Sequence, residues 1–397
     1  MRTYERTHPW LRFSLDLTRA PAALWVMLGE CQSKCEHIAG VPLRPDIARR
    51  LHEIYLAKGS LATTAIEGNT LSEEEVIKHI EGKLWLPPSM EYLAQEVDNI
   101  IRACNAMLAD IQAGHPPDLS PARVRELNRA VLDKLAVAEG VVPGEIRKHE
   151  VGVARYRGAP AEDCEHLLGK LCDWLRSETF APPRSMSVLH AILKAVLAHL
   201  HLVWIHPFGD GNGRTARLVE FQILITSGVP APAAHLLSNH YSQTRAEYYR
   251  QLDASTRAGA DVMLFLQYAV QGFVDGLRSQ LATIRDFQWD VAWRNYVHEA
   301  FRDKTGEADV RRRHLVLDLS ASSEPVPLAA LRELTPRLAA AYAGKTPRTL
   351  SRDVNTLVEM GLVERTNGGV RARREVILAF LPLTAVLSQS SGSCATP

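Results

Sequence analysis

The densest chemistry in the chain lies in one stretch, His206-Pro-Phe-Gly-Asp-Gly-Asn-Gly-Arg-Thr-Ala-Arg217. Gly209, Gly211 and Gly213 alternate with Asp210 and Asn212. Glycines at this density let the backbone take positive φ and turn successive N–H groups inward, which builds an anion nest. Arg214 and Arg217 follow three residues apart, so both side chains can lean over the same first helical turn. His206 at the entrance supplies a proton acceptor, Asp210 a carboxylate of the kind that binds Mg²⁺, and the glycine amides a cradle for a polyphosphate.

That chemistry needs a helix on either side. Leu189, Ile192, Leu193, Val196, Leu197, Leu200 and Val203 recur at helical spacing ahead of the loop. Arg214 to Thr226 predicts a second helix, stopped by Ser-Gly-Val-Pro at 227–230. The nest therefore sits at a helix N-terminus, where unpaired N–H groups and the macrodipole favour phosphate. Two better-known phosphate loops are excluded: a Walker A loop ends Gly-Lys-Ser/Thr, and a dinucleotide fingerprint follows a strand. A plain glycine-rich turn between helices would need neither His-x-Phe ahead of it nor the second arginine.

The stretch resembles the motif of the Fic family of nucleotidyl-transferring enzymes, His-x-Phe-x-Asp/Glu-Gly-Asn-Gly-Arg-x-x-Arg, with every fixed position present. The resemblance implies a protein adenylyltransferase. His206 would accept the proton of a Tyr, Ser or Thr hydroxyl on a target protein or on the chain itself. That hydroxyl would attack the α-phosphate of ATP, transferring AMP and releasing pyrophosphate. It further implies that Asp210 binds Mg²⁺, that Asn212 and the amides of Gly209, Gly211 and Gly213 hold the α- and β-phosphates, and that Arg214 meets the β-phosphate. Arg217 would meet the γ-phosphate, and Phe208 would turn into the core to fix the loop.

A second motif stands N-terminal to the first. Pro45 opens a helix carrying Ile47, Leu51, Ile54 and Tyr55, which runs toward Thr63-Thr-Ala-Ile-Glu-Gly-Asn69. Gly68 predicts its C-cap, and Ser72-Glu-Glu-Glu75 a capping box opening the next helix. The segment Thr63, Glu67, Gly68 is similar to the family's inhibitory signature, Ser/Thr-x-x-x-Glu-Gly/Asn. By that resemblance Glu67 pairs bidentately with Arg217 in the space needed by the γ-phosphate, so that ATP binds unproductively.

Other carry-overs rest on less sequence. Val142 to Ala154 alternates and is rich in Val and Gly, which predicts a short hairpin. Family members carry a β-hairpin flap here that aligns the target by strand addition; it maps to residues 147–156, with Glu150, Gly152 and Val153 bordering the nucleotide. The segment from Ser238 to Leu252 resembles the family's following region, which makes Tyr241 and Tyr249 the adenine-site candidates with Tyr248 behind them. An asparagine expected soon afterwards is missing, and Thr256 and Arg257 stand there instead. His199 is expected to be a packed histidine.

Towards the C-terminus, Thr346 to Gly361 predicts a helix with Leu350, Val354, Leu357 and Val358 as its buried stripe. Leu362 to Thr366, the turn at 367–369 and Val370 to Arg374 predict a hairpin. Helix then hairpin resembles a winged helix, with Arg348 and Arg352 on the outer face as candidate DNA contacts and Arg371, Arg373 and Arg374 on the wing. Such modules also serve as dimerisation or protein-docking units.

Composition sets the frame. The chain has 397 residues and a net charge of +1, which excludes a global electrostatic argument for nucleic acid. No apolar run is expected to span a membrane and the first residues lack a signal-peptide core, so a cytoplasmic location is the default. Cysteines 31, 35, 104, 164, 172 and 394 form no CxxC pair, so neither a zinc site nor a disulfide framework is indicated. The expected fold is mainly α: a Fic helical bundle at 106–285 with a small β-hairpin flap, an N-terminal helical arm at 1–105, a C-terminal winged-helix region at 286–386 and a disordered tail at 387–397. A homodimer is the expected assembly. Two alternatives stay open, since they use the same residues: removal of AMP from a modified protein, and a nucleotide-sensing winged-helix regulator.

Overall fold

Two helices and the loop between them set the frame of the N-terminal part. In this computed structural model, which describes residues 2–153, 156–181, 186–257 and 261–378, they are Ser187–Ile205 and Asn212–Thr226. Both are buried on almost every side, because both are surrounded by other helices. Ser187–Ile205 overturns one expectation: among the described residues it is long and apolar enough to cross a membrane, with a mean hydropathy of 1.8. Most of it, 83%, is buried inside the fold as the core helix.

Ala22–Gly40 and Cys164–Arg176 pack on the first of these helices, and Glu91–Gln112 and Pro121–Val131 on the second. Pro121–Val131 starts where Ser120 caps it, its hydroxyl accepting from the N–H of Arg123 at 3.2 Å. Residues from Tyr4 to Leu277 share one hydrophobic cluster, so the N-terminal arm and the bundle have a common core.

The arm is built as its sequence signals. Pro45–Ala65 begins with proline at its first position. Glu73–Ile80 opens with the complete capping box, Ser72 Oγ accepting from Glu75 N–H and the Glu75 carboxylate accepting from Ser72 N–H at 2.7 Å. Between them the chain turns through Gly68 at φ 111°, a conformation that a residue with a Cβ rarely adopts. Leu71, Val76, Leu93 and Val97 close over Ala57 in a small cluster that fixes this turn between the arm helices.

The hairpin is shorter than expected. Only Gly152–Val153 and Tyr156–Arg157 pair, antiparallel. Ile146 instead bridges to Phe208, and Arg147 N–H donates to the Pro207 carbonyl at 3.0 Å. The first part of the presumed flap is thus spent on holding the His206 loop. Residues 154 and 155 lie outside the described residues.

The chain divides into two units, Met1–Ala282 and Thr283–Pro397. In the second, Glu307–Leu319, Pro336–Tyr342 and Pro347–Glu359 precede the antiparallel hairpin Val363–Thr366/Gly369–Ala372, and Val326 bridges to Val370. Trp293, Leu315, Leu331, Leu338, Val354, Leu357 and Val370 belong to its core. Buried Asp353 accepts from Arg311 Nε at 2.7 Å, Arg312 Nε at 2.8 Å and the Tyr342 hydroxyl at 3.0 Å. The expected tail and Cys394 lie outside the described residues; the other five cysteines are free and buried.

Candidate active site

The first helix must stop at Ile205, because Pro207 disfavours helical geometry in the residue before it. His206 caps it in the left-handed region, φ 51° and ψ 58°, its N–H donating to the Leu202 carbonyl at 2.9 Å. A non-glycine residue there is strained, and the surroundings hold it. Arg147 donates from Nε to the His206 carbonyl at 2.7 Å, from Nη1 to the His149 carbonyl at 2.7 Å, and from Nη2 to the Ala159 carbonyl. Gly158 passes so close that a methyl group would lie 2.8 Å from His206 Cβ.

The imidazole is poised as a base. Nδ1 lies 3.3 Å from the Val203 carbonyl, which can only accept, so Nδ1 carries the proton and Nε2 keeps its lone pair. Burial pushes the imidazole pKa below its ordinary 6.5, against a raising contribution from the Val203 bond. Neutral histidine is therefore the resting form near pH 7.

The loop then turns through Asp210 and Gly211, the latter at φ 74°. Asp210 Oδ1 accepts from Gly211 N–H at 2.5 Å and lies 3.4 Å from Arg214 Nη2, with 46% of the side chain exposed. Buried Asn128 holds the turn from below, Nδ2 donating to the Asp210 carbonyl at 2.9 Å and Oδ1 accepting from Gly144 N–H at 2.9 Å. Gly209 faces Val141, and a methyl there would lie 2.8 Å from its Cγ2. Phe208 is buried, as expected. Asn212 departs from its expected role: its side chain accepts from Phe208 N–H at 2.9 Å and donates to the Phe208 carbonyl at 2.8 Å. With both ends bonded inward it staples the loop, leaving the backbone amides of the first turn to face an anion.

Above those amides stands Glu67. A methyl group on Gly213 would overlap Glu67 Oε1. Arg217, fully buried, donates from Nη2 to Glu67 Oε1 at 2.5 Å and to the Thr63 carbonyl at 2.9 Å. The pair is thus single-pronged, in place of the expected bidentate fork, and the same nitrogen also donates to the Thr63 carbonyl. Arg217 Nε and Nη1 are buried with no partner among the described residues. The Thr63 hydroxyl itself donates to the Gly59 carbonyl within its own helix. Burial works against a charge on Glu67, but the Arg217 guanidinium outweighs it and holds the carboxyl below its ordinary range. Arg214 is likewise engaged, Nη1 donating to Glu96 Oε1 at 2.8 Å.

A cavity of about 430 Å³ opens beside this arrangement, lined among others by Glu67, His206, Gly213, Tyr248, Tyr249 and Arg257. Tyr249 sits on its wall, but Tyr241 does not: it is fully buried, bonded through its hydroxyl to Glu220 Oε1 at 2.9 Å. Tyr248 takes its place on the wall and stacks on Tyr241 with ring centroids 4.8 Å apart. Buried His199 Nε2 bonds the Tyr248 hydroxyl at 2.8 Å and fixes its ring, hydroxyl inward, behind that wall. Glu150 is also displaced from the nucleotide side. It accepts from Ala161 N–H at 3.1 Å and borders a neighbouring cavity of about 680 Å³. Gly152 pairs with Arg157 and Val153 with Tyr156 in the short hairpin.

The carboxylate of Asp210, half exposed beside an anion cradle, fits a magnesium ion that keeps most of its ligands as water and phosphate. Among the described residues no cluster of three or more His, Cys, Asp or Glu side chains could hold a metal by itself. Arg147, Asn128 and Glu96 carry the loop, yet the sequence motifs do not point to them. The partners of Arg147 and Asn128 are largely backbone atoms remote in sequence, and Glu96 is one of many acids on a helix.

Residues 118–224 match the model of the Fic/DOC family. A curated relative bearing the name protein adenylyltransferase fic-1, from Caenorhabditis elegans, is 32% identical over 209 residues, covering 53% of this chain and 38% of its own length. Protein adenylyltransferase Fic from Nematostella vectensis is 28% identical over 249 residues, covering 62% and 53%. The chain thus spans between 38% and 53% of the length of these relatives. Among solved structures, a segment of Fic-1 from C. elegans superposes with a TM-score of 0.53 at 27% identity, covering 67% of this chain and 74% of that one. A Fic family protein from Desulfovibrio desulfuricans G20 gives 0.57 at 21% identity over 89% and 94%, a likeness of fold.

Proposed function

We propose, from the match of residues 118–224 to the Fic/DOC family, that this chain is a protein adenylyltransferase that moves AMP from ATP to a hydroxyl of a target protein or of itself, and that Glu67 restrains it. The observation that carries this reading is His206, with Nδ1 committed to a carbonyl and Nε2 without a hydrogen bond among the described residues, at the mouth of a cradle of helix N-terminal amides and arginines. A hydroxyl brought to Nε2 loses its proton to that nitrogen as its oxygen attacks the α-phosphate, and the bond from the α-phosphorus to the β-phosphate breaks to release pyrophosphate. A positioned histidine contributes about 10²–10⁴-fold to such a step. The amides of the first turn of Asn212–Thr226, with Arg214, stabilise the charge that develops on the phosphates. Asp210 would hold a magnesium ion, which would supply further neutralisation of that charge.

Glu67 is placed to oppose this. Its carboxylate fills the space over Gly213 and occupies Arg217, the cation suited to the γ-phosphate. ATP that keeps its γ-phosphate must displace a charged partner of a fully buried arginine. In the second unit, three helices and a hairpin support a winged-helix reading, with Arg348 and Arg352 exposed on Pro347–Glu359. The wing arginines are less available for DNA: Arg371 pairs with Glu364 and Glu375, and Arg374 with Asp290.

The test is label transfer from α-labelled ATP and Mg²⁺ to cell extract, using the full chain, Glu67→Gly, and Glu67→Gly/His206→Ala. Label on the chain or an extract protein in the single variant alone is the expected result. Equal labelling by the parent and Glu67→Gly discards the restraint and keeps the transferase. No labelling by any of them, with AMP released from a pre-modified protein, replaces transfer by removal.

A further inference from the structure

Arg214 is almost fully enclosed, with 7% of its side chain exposed, and an enclosed guanidinium needs a counter-charge and a fixed direction. Glu96 on Glu91–Gln112 provides both. Its Oε1 accepts from Arg214 Nη1 at 2.8 Å, while Nη2 of the same guanidinium faces Asp210 Oδ1 at 3.4 Å. The other oxygen, Oε2, accepts from Asn69 Nδ2 at 2.9 Å, and Asn69 is itself locked, Nδ2 also donating to the Leu93 carbonyl and Oδ1 accepting from Leu71 N–H at 3.1 Å. Asn69 is buried and lies on the turn that carries Glu67. A chain of polar contacts therefore runs Asn69, Glu96, Arg214, Asp210.

Resting on the reading of the cavity as an ATP site, we propose that Glu96, oriented by Asn69, is the positioning residue that aims Arg214 at the second phosphate of the nucleotide. Arg214 has two usable ends. With Nη1 held by Glu96, the guanidinium plane is fixed and Nη2 is left directed toward the Asp210 side of the cradle, where a diphosphate and its cation would lie. Without Glu96 the guanidinium keeps its charge and its contact with Asp210 but loses the anchor at Nη1, so its plane is free to turn away from the phosphate. The effect falls on ligands that reach Arg214 and spares those that do not. AMP ends one phosphate short of it; ADP and ATP do not.

The experiment is equilibrium binding of ATP, ADP and AMP with Mg²⁺ to the full chain carrying Glu67→Gly, alone and with Glu96→Ala, Glu96→Gln or Asn69→Ala, with thermal melting to check folding. The expectation is about ten-fold weaker ATP and ADP binding in Glu96→Ala, the scale of one coupled pair, with AMP affinity unchanged. Glu96→Gln, which keeps one acceptor for Nη1, falls between that and the parent, as does Asn69→Ala. In an Arg214→Ala background the Glu96 substitution adds nothing. Equal weakening of AMP and ATP makes Glu96 merely structural and overturns the proposal. Tighter ATP binding overturns it too, since Glu96 would then be competing with phosphate for Arg214. If Glu67→Gly binds ATP no better than AMP, or binds neither, it is the ATP-site reading that falls, and the aiming of Arg214 with it.

Discussion

At His206 a left-handed backbone, a committed Nδ1 and an open Nε2 meet in one residue, and each has its own cause. Pro207 forces the helix to end, the Val203 carbonyl selects the tautomer, and Arg147 pins the strained carbonyl. Burial holds the imidazole pKa below 6.5, so the base is lost only as pH falls through that lowered value. Label transfer by Glu67→Gly should therefore rise with pH to a plateau, with the midpoint of its acid limb below 6.5; a midpoint at or above it argues against His206 as a buried neutral base. His206, Asp210, both arginines and Glu67 were legible in the sequence because their types and spacing are themselves the chemistry. Asn212 was legible as a member of the loop but not in its orientation, and Tyr241 lies behind the cavity wall it was expected to form. An amide side chain can face a phosphate or staple its own loop, and only the depth of Phe208 decides which.

Pro45–Ala65, the helix that leads to Glu67, has a position set by packing rather than by propensity. Gly59 faces the ring of His235 so closely that a methyl group would overlap it. In an ordinary helix interior Gly→Ala stabilises by about 0.5–1 kcal/mol. Here Gly59→Ala should instead destabilise by about 1–3 kcal/mol, from overpacking, and lower the melting temperature of the full chain. A gain in stability would mean that the helix shifts without cost. The capping box at Ser72, the cap at Ser120 and the proline at position 45 were legible because a cap is a contact within four residues. The small hairpin was legible but not its length, since Ile146 and Arg147 pair with the His206 loop, and nothing within residues 142–157 announces that partner.

Across the whole molecule, two units carry two cores. The second is organised around Asp353, whose carboxylate meets two arginines from Glu307–Leu319 and the Tyr342 hydroxyl. Asp353→Ala leaves those cations without their buried partner and should cost that unit about 3–5 kcal/mol. Hydrogen exchange resolved along the chain should speed up across residues 307–378, while label transfer by the Glu67→Gly form stays unchanged. Uniform acceleration over the entire chain would contradict a local role. The helical character, the glycine-rich turn between two helices and the capped helices of the arm follow from the sequence alone, because periodicity, caps and glycine-rich turns act between near neighbours. The tertiary structure alone decides that Tyr248 rather than Tyr241 walls the cavity, that Arg217 holds Glu67 by one nitrogen, and that Glu96 and Arg147 support the loop. Each of these depends on which atoms meet across long separations in the chain, and burial, not local pattern, makes that choice.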